Sequence, residues 1–462
     1  MGFGILSIIK GLAPLSLYAL GMLFFLGGIL GKGRWSLLLV TFLIPLRNII
    51  DKIHAYPLGN HFLDLLILGA LISWLLEAMQ HKKQLFAPSS LNFAIFMLIA
   101  YTFLTLIAGS QYLTGVFSIS LSDERVKDWK NFCLMPLLFL VTLNLITDRA
   151  WIERMLLSML LAMVIMDYYT ISQIGSFTSL VSREKINGTF VFLGPNEVAA
   201  FYNEFTIVMV AVFFCIRQKR KKSILLAMIY ASVYCIIFLY SRGAYLGFFA
   251  GLGFLFLLKN KKFLLPLILV ALLWQSVLPD KAIERIKGTT NELGQLDESS
   301  ERRLLIWQQA LHLFSQNPMT GIGYGVFRYQ GLDLGDTHNI YIKILVEQGT
   351  IGMIVFLIVI FCFLRMGYVL YKKGEEDLAK GMGLGLMTCM IVVVLNNFFG
   401  DRWTYFELSS YLWIFAGLVG RYIILSQEQS PEPVLLKETI KTVKTIQIPQ
   451  EKKKKKIRYY DL

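Results

Sequence analysis

From Ser223 to Ser241 the chain reads SILLAMIYASVYCIIFLYS, without one charged residue. About 20 apolar residues of helix cross the hydrocarbon core of a bilayer, and in lipid a backbone must satisfy its own hydrogen bonds, as a helix does. The pattern recurs. Apolar stretches lie at 12–30, 35–50, 62–79, 91–109, 131–147, 153–170, 197–216, 223–240, 244–258, 263–278, 339–371, 380–400 and 403–424. Only 16% of the 462 residues are charged, against about 25% in a soluble domain. That excludes a large soluble enzyme, and 56% hydrophobic residues exclude a disordered chain. The runs are unbroken, unlike the alternating segments of a membrane barrel.

The expectation is an all-α polytopic membrane protein with about 12–13 transmembrane helices. Segment 35–50 is short and holds Pro45. Segment 339–371 exceeds what a bilayer requires, so it starts above the membrane or tilts. The first stretch lacks a small-residue cleavage site and reads as a mature anchor.

Lys and Arg in short loops orient such a chain. Arg217–Lys222 (RQKRKK) carries five basic residues and no acid, and Lys259–Lys262 (KNKK) carries three basic residues. The tail from Leu425 adds a net +4, so these pieces hold +12 of the chain's +14. The hydrophilic stretch 279–338 has a net charge of −2. The basic loops therefore face the cytoplasm, and 279–338, with 110–130 and 172–196, faces outside. The basic excess follows from topology and implies no nucleic-acid partner. The side of the N-terminus stays open, because it depends on whether every short segment crosses. Four regions result: an N-terminal bundle (1–278), an external loop (279–338), C-terminal helices (339–425) and a basic, disordered tail (426–462) that touches anionic membrane lipids.

The cysteines at 133, 215, 235, 362 and 389 share no metal or redox spacing. The histidines at 54, 61, 81, 312 and 338 include no HExxH. No metal and no cofactor are expected.

Three external sites carry candidate chemistry, since ionisable groups near the membrane boundary are costly. Arg242 stands between two charge-free spans, beside Gly243. It either snorkels to headgroups or clamps an anion through its fixed guanidinium fork. In 300–314, Leu304, Trp307, Ala310, Leu311 and Phe314 follow helical spacing. Ser299 or Ser300 would cap this helix, and Arg302 and Arg303 would fall in its first turn, where a bound anion relieves the dipole's repulsion of cations. Asp336-Thr337-His338-Asn339 tops the span at 339–371, and a histidine there can take a proton from a hydroxyl.

Together these residues resemble the O-antigen ligase and polymerase superfamily. His338, Asn339, nine further residues, Gly349 and Gly352 fit its H-[N/S/Q]-x9-G-x-x-G pattern, with Glu347 just before the glycine pair. Arg242 and Gly253 fit R-x10-G. Residues 301–327, ERRLLIWQQALHLFSQNPMTGIGYGVF, fit R-x3-W…A…N-P-x-x-G-x-G, which singles out Arg303. The resemblance covers roughly 240–355. It implies a GT-C-like fold and a metal-independent, inverting transfer from an undecaprenyl-diphosphate-linked glycan at the outer face of the bacterial inner membrane. Arg242 and Arg303 would grip the diphosphate, with Arg328 a third candidate, and His338 would be the base. Asp336 would orient His338. The acceptor would be lipid A–core in a ligase or a carrier-linked glycan in a polymerase. A lipid-linked oligosaccharide transporter is the remoter class. It would place charge at the bilayer midplane and show repeated halves, and neither is evident.

Overall fold

A computed structural model describes residues 2–80, 84–117, 119–176, 183–288, 298–330 and 336–429. His81, residues 289–297 and 331–335 of the loop, and the tail from 430 lie outside the described residues. Among the described residues there are seventeen α-helices and no strand. They are α1 Gly2–Ile29, α2 Gly33–Leu43, α3 Arg47–Ile53, α4 Phe62–Gln80, α5 Leu91–Thr114, α6 Glu124–Leu145, α7 Arg149–Ser176, α8 Pro195–Cys215 and α9 Lys219–Phe238. There follow α10 Arg242–Lys259, α11 Leu264–Leu272, α12 Trp274–Val277, α13 Asp280–Lys287, α14 Glu298–Gln316, α15 Ile340–Lys373, α16 Asp377–Asn396 and α17 Phe406–Gln429.

Ten of these are long and apolar enough to cross a membrane: α1, α4, α5, α7 to α10 and α15 to α17. The chain is a polytopic helical membrane protein. Three expected stretches do not reach that standard. The stretch at 35–50 is broken around Pro45 into α2 and α3, and α2 at 11 residues rises only about 16 Å. The stretch at 263–278 is split into α11, of nine residues, and α12, of four. Helix α6 has the length, but its first two turns carry Glu124, Arg125, Lys127, Asp128 and Lys130. It packs inside the bundle against α17, where Gly417 lies against Thr142.

One continuous core joins helices from both sides of the hydrophilic stretch. Helix α16 lies against α8, with Gly381 and Gly385 backing onto Val212 and Val208, and against α15 through Gly367 and Gly383. Small residues allow such close approach where lipid supplies no hydrophobic drive between helices.

The helix ends sort into two polar layers. At one end Arg217 approaches Asp377 (3.5 Å), Tyr371 donates to Leu258 O (3.5 Å), and Arg149 pairs with Glu376. At the other, Thr189 Oγ1 donates to Pro45 O (2.6 Å), Tyr324 N to Thr105 O (3.1 Å) and Arg183 Nε to Leu239 O (2.7 Å). The basic loops thus belong to the end opposite residues 320–347. Tyr18 donates to Pro57 O (2.9 Å) and Gly28 backs onto Gly69, so α1 and α4 run in the same direction. Helix α1 therefore begins at the end that holds the polar site.

Helix α15 is not one continuous rod. Gly349 adopts φ +67°, ψ −167°, a region essentially reserved for glycine. The break frees backbone groups, and the loop after α14 takes them. Ile322 N and Gly323 N donate to Val346 O and Glu347 O (both 2.9 Å), while Thr350 N and Ile351 N donate to Pro318 O (2.9 Å) and Met319 O (3.2 Å). The Asn317-Pro318…Gly321…Gly323 segment and the Gly349/Gly352 segment therefore interlock. The excess length at 339–371 is explained by this break.

Candidate functional site

Helix α14 is present but starts earlier than its sequence suggests. Glu298 is already helical, so Ser299 and Ser300 lie within the helix instead of capping it. Arg302 and Arg303 fall in the second turn, behind Glu298 and Glu301. The buried stripe is also rotated from the expected one. Ile306 and Ala310 are buried, with Trp307 and Leu313 packed beside them on Ile322, Val326, Phe327 and Val346. Leu304 and Leu311 are exposed. The docked loop, not the helix's own strongest periodicity, chooses the face. Arg303 is half-buried on this side and Arg302 is exposed.

Trp307, one turn beyond Arg303, donates from Nε1 to Thr337 O (2.8 Å). Its ring meets Phe398 edge-on at 6.3 Å. Gly243, next to Arg242, backs onto Phe399, where an added Cβ would sit 3.1 Å from the ring. The segments that carry Arg242, Arg303 and His338 therefore meet, through Gly243, Trp307 and Thr337, at one corner built on Phe398 and Phe399. His338 is exposed and has φ +51°. A non-glycine residue in that region costs about 1–2 kcal/mol. Its neighbours hold it there. Thr337 Oγ1 donates to Asn339 O (2.9 Å), Ile340 N donates to Asn397 O (3.1 Å), and Asn339 Oδ1 caps α15 by accepting from Tyr341 N and Ile342 N (3.0 and 3.2 Å).

Arg328, Asp336 and Glu347 line a cavity of about 780 Å³ whose lining includes none of Arg242, Arg303 and His338. Arg328 reaches Asp128 at 2.5 Å. Burial alone would lower the guanidinium's pKa, but the Asp128 carboxylate outweighs it and the net shift is upward. Asp336 turns toward Lys343 (3.8 Å), which also contacts Asp401 at 2.5 Å. The expected pairing of Asp336 with His338 is replaced by this one. Glu347 is buried and accepts from Phe327 N (3.3 Å). Tyr324 and Tyr405 line the same cavity. Burial raises both phenols, that of Tyr405 to about 12, with Asp336 and Asp401 adding to the shift. Gly352 packs on Gln348 and Tyr101, and Tyr101 donates to Gln348 O (2.7 Å).

Sequence reasoning missed Arg183. It is buried, with Nε on Leu239 O (2.7 Å), one amino group on Glu184 (2.6 Å) and the other on Asn196 Oδ1 (2.7 Å). It thereby supports the turn that delivers Arg242, in which Tyr240 has φ +50°. A signal was available: Arg183 and Gly194 repeat the R-x10-G spacing of Arg242 and Gly253. The Lys343–Asp401 pair and the Arg402–Glu197 contact (3.6 Å) have no local pattern to reveal them. Among the described residues, no three His, Cys, Asp or Glu side chains gather as a metal cage.

Fold and site define a multi-pass helical membrane protein with a polar, arginine- and histidine-bearing centre at one end of its bundle. Residues 226–357 match the O-antigen ligase family, which supports the resemblance to the O-antigen ligase and polymerase superfamily. That family comprises glycan-transferring membrane enzymes acting on lipid-linked glycans. The match contains Arg242, Arg303, His338, Gly349 and Gly352. No curated protein matches the chain.

Proposed function

We propose that this protein moves a glycan from undecaprenyl diphosphate to an acceptor hydroxyl at the outer face of the bacterial inner membrane, as an O-antigen ligase with lipid A–core as acceptor. The observation that carries this reading is that the segments bearing Arg242, Arg303 and His338 meet, through Gly243, Trp307 and Thr337, at the Phe398–Phe399 corner. They come from three separate elements, at the bundle end opposite the basic loops.

In the proposed step the acceptor oxygen attacks the anomeric carbon from the side opposite the diphosphate. The carbon–oxygen bond to the carrier breaks, and the configuration inverts. His338 takes the acceptor's proton as the new bond forms. Arg242 and Arg303 stabilise the charge that collects on the departing diphosphate, a task for preorganised donors in which guanidiniums grip phosphate oxygens two at a time. This chemistry needs no metal. Arg328, already paired with Asp128, is left out of the grip.

The test is transfer by purified protein from a carrier-linked glycan, with no ATP or ion gradient supplied. Arg242→Ala and Arg303→Ala should each lower the rate by about 10²–10³, the scale of losing one preorganised donor. Lysine should restore little, because a point charge lacks the fork, and EDTA should change little. Full activity in both alanine variants would refute the clamp. Core-linked product identifies a ligase, and carrier-linked polymer identifies a polymerase.

A further inference from the structure

We propose that the 780 Å³ cavity beside the 336–343 segment is a chamber for the uncharged saccharide portion of the glycan substrate; this rests on the glycan-transfer reading above. The volume falls within the usual range of small-molecule pockets, about 300–1,000 Å³. It adjoins the reacting corner, because Asp336 at its wall is two residues from His338.

The chamber's charge pattern selects the ligand. Four of its five lining cations are matched by acids: Arg328 by Asp128 (2.5 Å), Lys343 by Asp401 (2.5 Å), Lys130 by Asp64 (3.6 Å) and Arg47 by Asp51 (2.9 Å); with the fifth, Lys127, they face six lining carboxylates, those of Asp64, Asp128, Asp336, Glu347, Asp401 and Glu407. A phosphate or carboxylate entering here would meet this excess of carboxylates, and to reach a paired cation it would have to pull a carboxylate from its partner, which is costly. A hydroxyl faces no such penalty. It donates to a carboxylate oxygen and accepts from a guanidinium or ammonium without parting the pair. Asp336 Oδ1 is buried with no hydrogen-bond partner, its cation standing at 3.8 Å, beyond hydrogen-bond reach. That orphaned acceptor calls for a donor, and a sugar hydroxyl is one. Tyr324, Tyr405 and Phe192 contribute aromatic surface to the wall, which suits the apolar face of a pyranose ring. The division of labour is then spatial: the Arg242–Arg303 corner holds the charged carrier group, and the charge-balanced chamber holds the neutral sugar.

The experiment uses the full chain in lipid nanodiscs. One probe is the oligosaccharide released by mild acid from the host's own carrier-linked glycan. The others are the same oligosaccharide with its primary hydroxyls oxidised to carboxylates, and inorganic pyrophosphate. Binding is read by saturation-transfer NMR and by titration. The unoxidised oligosaccharide should bind, and Asp336→Asn and Asp128→Asn should each weaken it roughly tenfold, the scale of one hydrogen bond to a charged group. The oxidised form should bind at least tenfold more weakly, and pyrophosphate should not compete. Equal or tighter binding of the oxidised form, competition by pyrophosphate, or unchanged affinity in both variants overturns the proposal. In transfer assays, a KM rise confined to the donor assigns the chamber to the carrier-linked sugar, and one confined to the acceptor assigns it to the incoming sugar. No rise in either also overturns it. If wild-type protein binds the oligosaccharide here but never transfers from the carrier, the proposed function falls and the chamber stands.

Discussion

Replacing Gly349 with alanine tests how far the site depends on the break in α15. The native φ +67°, ψ −167° costs an L-residue about 1–3 kcal/mol. The added Cβ would also sit 2.3 Å from Met319 O, 2.4 Å from Met319 C and 2.5 Å from Thr320 N. These are backbone atoms that cannot rotate away, and overpacking of this kind adds about 1–3 kcal/mol. The alternative is for the 318–323 loop to detach. That forfeits four hydrogen bonds between it and residues 346–351, at about 1 kcal/mol each. Both routes cost several kcal/mol out of the roughly 5–15 that hold a fold together. Detachment also removes the support α14 gives to Thr337 and hence to His338. Two other motif glycines are graded controls. An alanine at Gly352 keeps helical backbone but meets Gln348 Cβ at 2.3 Å, so its loss should be intermediate. An alanine at Gly253 has only Leu267 Cδ2 near, at 3.8 Å, and should be neutral or gain up to about 1 kcal/mol. Four of the five cysteines are buried, so a thiol-reactive dye reports thermal opening, with transfer rate measured in parallel. A Gly349→Ala protein as stable and active as wild type, or a Gly253→Ala protein as damaged as it, would refute the reasoning.

Arg183→Ala should raise the KM for the carrier-linked donor more than it lowers kcat, because it releases the Leu239 carbonyl and loosens the turn that presents Arg242. Arg183→Lys should recover part of that KM, and an unchanged KM in the alanine variant would leave Arg183 a packing residue only. His338→Ala should slow transfer by about 10²–10⁴ while donor binding persists, and His312→Ala, on the exposed face of α14, should do far less. His338→Gly should be about 1 kcal/mol more stable than His338→Ala, because glycine accepts the φ of +51°, yet equally slow. A faster glycine variant would show that backbone relief, not imidazole chemistry, is what the position supplies.

Much of the fold was legible because lipid imposes length and hydropathy on each span. The basic loops likewise recorded which helix ends share a side. The three stretches that fall short of a full apolar span do so for separate causes. Helix α2 and the α11–α12 pair are apolar but interrupted. Helix α6 is charged at one end because protein covers it there, a tertiary fact. The break in α15 was hidden because hydropathy runs unbroken across it. Gly349 was visible as a motif residue, but its conformation is fixed by a loop some thirty residues earlier in the chain. The face of α14 was misread because its apolar residues permit two stripes, and packing on Ile322, Val326 and Val346 chose between them. At the candidate site, Arg242, Arg303 and His338 stood out through spacing and improbable polarity. Lys343 and Asp401, 58 residues apart, did not, since an ion pair between distant residues leaves no periodic trace.

The 336–343 segment explains why a histidine in a strained conformation is tolerated. The segment is a partition. Thr337 and Asn339 are buried and bonded on either side of His338. Asp336 before it and Lys343 after it turn into the charge-balanced cavity. The left-handed φ at His338 turns the chain between the two buried neighbours, and its side chain is exposed. The cost of about 1–2 kcal/mol is offset by the Asn339 cap, the Trp307–Thr337 bond and the Ile340–Asn397 bond, at about 1 kcal/mol each. Strain at a single residue, held by several ordinary hydrogen bonds, is the usual arrangement at functional positions. Here it keeps an imidazole apart from a wall of paired charges that lies only two residues away.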